Sequence, residues 1–110
     1  MEPVDLQALT RVMNEVLILA VLRDGPKHGY QIALDVERET GGVFGFQHGT
    51  LYPILHRLER AGRIEGAWDR SGRRRKVYEL TKAGRRSLDV EADRIREVFG
   101  ALDELLGGGS

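Results

Sequence analysis

The placement of glycine and proline constrains this chain most. Breaks at Asp24-Gly25-Pro26, Gly41-Gly42, Ala61-Gly62 and Ser71-Gly72 cut it into segments of helix or strand length. Each segment carries its own hydrophobic period. Between residues 6 and 23 neither breaker intervenes, and Leu6, Leu9, Val12 or Met13, Val16, and Leu19 or Ala20 recur at helical spacing. The second half of that stretch is apolar nearly all round, which predicts a helix whose later turns are buried on several sides. Gly25 supplies its cap and Pro26 forbids its continuation. A second helix is expected over 28–39, with Ile32, Ala33 and Val36 inward and Asp35, Glu37, Arg38 and Glu39 in water. After Gly41-Gly42 comes a linker, with Phe44 or Phe46 folded under. Proline is harmless only in a helix's first turn, so Pro53 fixes the start of a third helix near Gln47–Thr50. Leu51, Ile54 or Leu55, and Leu58 form its buried stripe, leaving Gln47, Thr50, His56, Arg57 and Arg60 outside.

The remainder changes period twice. Residues 64–68 and 77–80 alternate, Ile64, Gly66 and Trp68 against Tyr78 and Leu80, as in a two-stranded hairpin with a polar tip carrying Arg73, Arg74, Arg75 and Lys76. Trp68 is expected in the core or at the hairpin's base. Thr81 then sits at an N-cap position, and glycine at 84 leaves the reciprocal capping box unmade. From Lys82 to Leu106 the pattern is helical again. Leu88, Ala92, Ile95, Phe99, Leu102 and Leu106 step by four and three residues, a seam of about two and a half heptads. Such a helix would be roughly 37 Å long, more than a small domain needs, and calls for a partner. The closing Gly-Gly-Gly-Ser reads as a flexible tail over 107–110.

Composition excludes several classes. At 110 residues there is room for a single core. The longest apolar run, Val16 to Leu22, spans seven residues, against roughly 20 for a bilayer, so no membrane span is expected. The acidic start lacks the basic region of a secretory signal, and a cytoplasmic location is expected. With no cysteine, and with His28, His48 and His56 at spacings that suit no ligand set, neither metal nor cofactor is expected. His28 reads as a hydrogen-bonding residue at a helix start. Three serines without a histidine–carboxylate pairing, and no phosphate-binding loop, argue against an enzyme.

The net charge of zero hides a strong segregation. Residues 1–56 carry −3, residues 57–86 carry +7 and residues 87–110 carry −4. A local cationic band points to an anionic partner, with nucleic acid foremost. Three helices, a hairpin and a long helix form the layout of a winged helix-turn-helix, mainly α with a small β-hairpin. In that layout the third helix can enter a major groove while the basic hairpin lies on flanking phosphate. Thr50 and Tyr52 supply hydroxyls, Gln47 can pair with adenine, and Gly49 allows close backbone approach.

In Gly25-Pro26-Lys27-His28-Gly29-Tyr30, Thr40-Gly41-Gly42, Gly49-Thr50-Leu51-Tyr52-Pro53 and the wing segment Gly72-Arg73-Arg74-Arg75-Lys76-Val77-Tyr78, the chain resembles the PadR family of bacterial transcriptional regulators. The resemblance runs from about residue 17 to 84. It implies a homodimeric repressor on a two-fold operator in double-stranded DNA, with a small aromatic effector as the inducer that family members often sense. Residues 1–80 would form the DNA-binding domain and 81–106 the dimerisation helix. Lys27, Tyr30, Gln47, Gly49, Thr50, Tyr52, Arg73, Arg74, Arg75 and Lys76 become the candidate DNA contacts. Leu6, Leu9, Met13, Leu88, Ala92, Ile95, Phe99, Leu102 and Leu106 become the candidate dimer interface. The chain has a single C-terminal helix, as in the short branch of the family. That helix has no tryptophan, which stacks the ligand in some drug-sensing relatives. The alternative function is a winged helix that docks an acidic protein partner through its basic wing.

Overall fold

A computed structural model describes residues 3–47, 49–70 and 75–108. Its elements follow in the order α1 (Leu6–Val21), β1 (Lys27–His28), α2 (Gly29–Glu39), α3 (Leu51–Arg60), β2 (Ile64–Trp68), β3 (Lys76–Leu80) and α4 (Lys82–Leu105). The Asp5 carboxylate opens α1 by accepting from the Gln7 amide at 3.0 Å. The helix tightens into a 3-10 turn over Leu22–Asp24, and the break lies at Gly25, as the breakers foretold. At the end of α3, Gly62 takes φ 72°; its amide reaches Glu59 O and the Arg63 amide reaches Leu58 O. These are the paired bonds of a Schellman stop, which favours glycine. A similar stop ends α2. There the Thr40 hydroxyl, donating to Val36 O at 2.7 Å and accepting from the Phe44 amide at 3.1 Å, turns the linker inward. Both Phe44 and Phe46 consequently pack against the core.

The expected hairpin forms, and a strand absent from the sequence reading joins it. The sheet is antiparallel in the order β1-β3-β2, with Lys27 opposite Tyr78, Ile64 opposite Leu80 and Trp68 opposite Lys76. β1 is two residues long, too short to show a period. Pairing with β3 is what makes it a strand, and it ties the start of α2 to the hairpin.

The core draws on every layer. Ile18, Leu19 and Leu22 of α1 meet Ile32 and Val36 of α2, Leu55 and Leu58 of α3, Ile64 and Tyr78 of the sheet, and Leu88 of α4. Leu51 and Ile54 are buried as well, so both alternatives at 54 and 55 hold. Thr81 caps α4, accepting from the Gly84 amide at 3.0 Å while donating to Gly62 O at 2.7 Å. Gly84 has a second reason to be glycine, because a Cβ there would run into the Arg63 carbonyl. The first turns of α4 therefore lie hard against the turn between α3 and β2. The rest of α4 projects, and the molecule measures 53 × 27 × 24 Å.

Two placements correct the sequence reading. Asp35 is buried, at 2% exposure, and does not face water. Lys27 Nζ lies 2.8 Å from its carboxylate, Gln31 Nε2 donates to it at 2.7 Å, and the Arg38 guanidinium also reaches it. The hydrogen bond from Lys27 is the main cause that holds the Asp35 carboxyl below its ordinary pKa, against the opposing effect of burial. The second concerns Trp68. It is 63% exposed at the outer end of β2 and belongs to the hairpin's surface, outside the core.

Candidate nucleic-acid interface

The short turn into α3 is built on Gly49, whose φ of 87° lies where other residues are strained. A Cβ there would meet nothing within 4 Å, so the demand is conformational and not one of close approach. The Thr50 amide closes the turn on Gln47 O at 3.0 Å. Thr50 occupies the N-cap of α3, yet its side chain caps nothing, and it is exposed together with Gln47. Tyr52, in the first turn of α3, leans across the start of α2. A Cβ on Gly29 would sit 2.9 Å from its hydroxyl, so glycine at 29 makes the seat for this phenol. Tyr30, beside that seat, is 71% exposed.

The hairpin stands alongside. Its outer end, just below the tip, is closed by the Asp69 amide donating to Arg75 O at 2.8 Å, with Arg75 Nε 3.5 Å from the Asp69 carboxylate. His28 bridges to it from β1. One ring nitrogen lies 3.3 Å from Lys76 O and the other 3.4 Å from the Asp69 carboxylate. His28 thus occupies the helix start, but its ring joins the hairpin and makes no cap bond to α2.

The candidate cations divide into three groups. Arg73 and Arg74 lie outside the described residues. Arg75 is exposed at the outer end of the hairpin. Lys76 and Lys27 are drawn inward: Lys76 Nζ sits 3.3 Å from both Glu59 carboxylate oxygens and 5.7 Å above the Trp68 ring, while Lys27 is held by Asp35. Lys27 is a brace between β1 and α2, its ammonium paired with the Asp35 carboxylate. Arg57 and Arg63 both lean on Glu15 of α1, at 3.7 and 3.6 Å, so part of the cationic band holds the fold together. Sequence reasoning missed Glu59, Asp69 and the clustering of His56 and Trp68 with Tyr30 and Tyr52. No periodicity carries that signal, because the residues come from α2, α3 and the hairpin.

Of the candidate pairing residues, Leu88 lies in the chain's own core. Leu9, Met13, Ala92 and Ile95 are half-buried between α1 and α4. Leu6, Phe99, Leu102 and Leu106 are exposed, with Leu6 and Leu106 at 74%. The free seam therefore starts past the middle of α4.

A trihelical core whose second and third helices form a helix-turn-helix, flanked by a β-hairpin, defines the winged helix-turn-helix class. The model of the transcriptional regulator PadR-like family matches residues 18–90. The chain belongs to that family, and is a transcriptional regulator and not an enzyme. It is 34% identical to a transcriptional regulator of Mycobacterium tuberculosis, over 88% of this chain and 82% of that protein. It is also 38% identical, over 82% of its length, to an uncharacterized 37.1 kDa protein of a Streptomyces fradiae transposon, of which it spans 25%. Among solved structures it superposes on a PadR family transcription regulator of Clostridium difficile with a TM-score of 0.73 and 30% identity, covering 84% of this chain and 97% of that one. With Bacillus subtilis PadR, solved in complex with operator DNA, the TM-score is 0.62 and the identity 31%, over 68% of this chain and 44% of that one. Among the described residues, no helix is long and apolar enough to cross a membrane.

Proposed function

We propose that this chain is a cytoplasmic, homodimeric repressor that binds a two-fold operator in double-stranded DNA. The observation that carries the reading is the convergence of three features on one face. These are the uncapped Thr50 hydroxyl at the mouth of α3, the Tyr52 phenol seated on Gly29, and the outer end of the hairpin with Arg75. The free amides at a helix N-terminus favour phosphate, and hydroxyls there fix the register of a helix in the groove. Residues 1–80 serve as the reading head, with the wing tip at Arg73 and Arg74 extending it over the backbone. Residues 81–106 pair two copies through Phe99, Leu102 and Leu106, joined by Leu6 at the start of α1. Dyad-related α3 helices would then enter successive major grooves ~34 Å apart. A small aromatic effector that alters this spacing would release the operator.

Selection of bound fragments from genomic DNA, followed by footprinting, tests the reading. The expected result is a two-fold site whose affinity falls with salt at a slope of about −0.9 per phosphate neutralised. Affinity for duplex DNA that does not respond to salt would overturn it.

A further inference from the structure

The exposed side of α3 is not uniform. Leu51, Ile54, Leu55 and Leu58 hold one side of the helix in the core. At ~3.6 residues per turn, the crest opposite them carries Pro53, His56 and Arg60, with Arg57 on one flank and Tyr52 and Glu59 on the other. Both flanks are engaged within the chain. Arg57 leans on Glu15 of α1 at 3.7 Å, Glu59 holds Lys76 of the hairpin at 3.3 Å, and Tyr52 is seated on Gly29. The crest is different. His56 and Arg60 are exposed, and neither makes a hydrogen bond or ion pair with another described residue. Together with Glu59 and Lys76 they line an open trough beside the hairpin.

This division separates two tasks. Hydroxyls at the start of α3 and cations on the hairpin serve the phosphate backbone, which fixes register and carries no sequence information. Sequence is read at base edges, and a helix lying in a major groove reads them with the polar side chains of its outermost face. On α3 that face offers two, His56 and Arg60. The Glu59 carboxylate beside them could accept from a cytosine, but Lys76 already occupies both of its oxygens.

We propose that His56 and Arg60 determine the sequence specificity of this regulator, and that each reads a guanine in the operator half-site. The inference rests on the proposed entry of α3 into a major groove and adds what that groove must display. Arg60 carries five N–H donors and no acceptor, so its fork matches the adjacent O6 and N7 acceptors of guanine and is mismatched to the amino groups of adenine and cytosine. His56 gives a ring N–H to the same pair of acceptors, whereas adenine sets an amino donor beside its one acceptor. Side chains on a helix lean toward its N-terminus, which brings Arg60 over the turn that carries His56. Four residues of helix rise ~6 Å, against ~3.4 Å per base pair, so the two guanines lie within about two base pairs of each other. A cation in the last turn of a helix also suits the helix dipole, and an arginine can lie on phosphate. Both of those roles are indifferent to base sequence, which makes them separable by experiment.

The full chain, His56→Ala and Arg60→Ala are each put through selection from random-sequence duplexes, and affinity for the selected site is then measured against salt. Neither side chain is buried in the core, so both variants should melt as the parent does. The parent should select guanine at two positions within about two base pairs in each half-site. Arg60→Ala should lose that preference at one position by about 10- to 100-fold, and His56→Ala at the other by about tenfold. Guanine preferences that survive in the folded alanine variants overturn the assignment. Weakening of Arg60→Ala on all sequences alike, with the salt slope reduced by about 0.9, makes Arg60 a phosphate contact and overturns its role as a reader. A chain that binds no duplex sinks the proposed function and this inference together, whereas duplex binding without guanine preference sinks the inference alone.

Discussion

A methyl group added at Gly84 would collide with the Arg63 carbonyl, whereas one added at Gly100 on the same helix meets nothing within 4 Å. Backbone cannot yield as a side chain can, so Gly84→Ala should destabilise by about 2 kcal/mol. For a chain of this size that is a fall in Tm of roughly 10 °C. Gly100→Ala should instead stabilise by about 0.5–1 kcal/mol, because alanine loses less freedom than glycine in a helix. Thermal melts of the two variants check the pair, and the same direction in both would contradict the packing described for α4. Asp35 gives a second residue-level prediction. Its carboxyl is held below the ordinary value of 3.8 in the folded chain. Folding therefore gains from its ionisation above the unfolded pKa, and that gain is lost as pH falls through the lower, folded pKa. Stability should decline below about pH 4. Asp35→Asn should flatten that decline and cost about 2–3 kcal/mol at neutral pH, read from denaturant midpoints at both ends of the range.

Elements in this fold are joined by charged side chains as much as by apolar ones. α3 and the hairpin are coupled through Glu59 and Lys76, and the same bond occupies the lysine's ammonium on the face it shares with Tyr52. Glu59→Gln removes one negative charge and releases the ammonium. It should tighten duplex binding severalfold at low salt and steepen the salt slope by about 0.9 for each further phosphate neutralised. A titration of affinity against salt checks this, and weaker binding with the fold intact would show that the pair positions the wing on the duplex. β1 is the other coupling element. It links Lys27 to Asp35 on one side and His28 to the outer end of the hairpin on the other, so two residues of strand brace α2 against the wing.

At the scale of the whole molecule, the projecting half of α4 dominates. Phe99 and Leu102 are 41% and 47% exposed in a single chain, and Leu105 and Leu106 lie in water beyond them. An exposed apolar stripe of this kind is the surface the proposed pairing of two copies would cover. Leu102→Glu places a charge on it where the chain's own core is untouched, so the variant should stay folded and sediment as a monomer. A dimer of unchanged stability would remove α4 from the proposed interface.

The sequence by itself determined the order and kind of the elements. Glycine and proline act locally through φ, and hydrophobic period acts within one element, so the three-helix core, the hairpin and the Thr81 cap were all legible. So were Gln47 and Thr50 as exposed side chains at the helix-turn-helix. The tertiary structure alone decided what depends on residues far apart in the chain. Two-residue β1 exists because β3 pairs with it, Asp35 is buried because Lys27 reaches it, and Leu88 belongs to the core because Gly84 lets α4 approach Arg63. Whether a lysine faces a partner or a glutamate, as at Lys76 and Glu59, is settled by a few ångströms between two elements. No local rule of the chain encodes that distance.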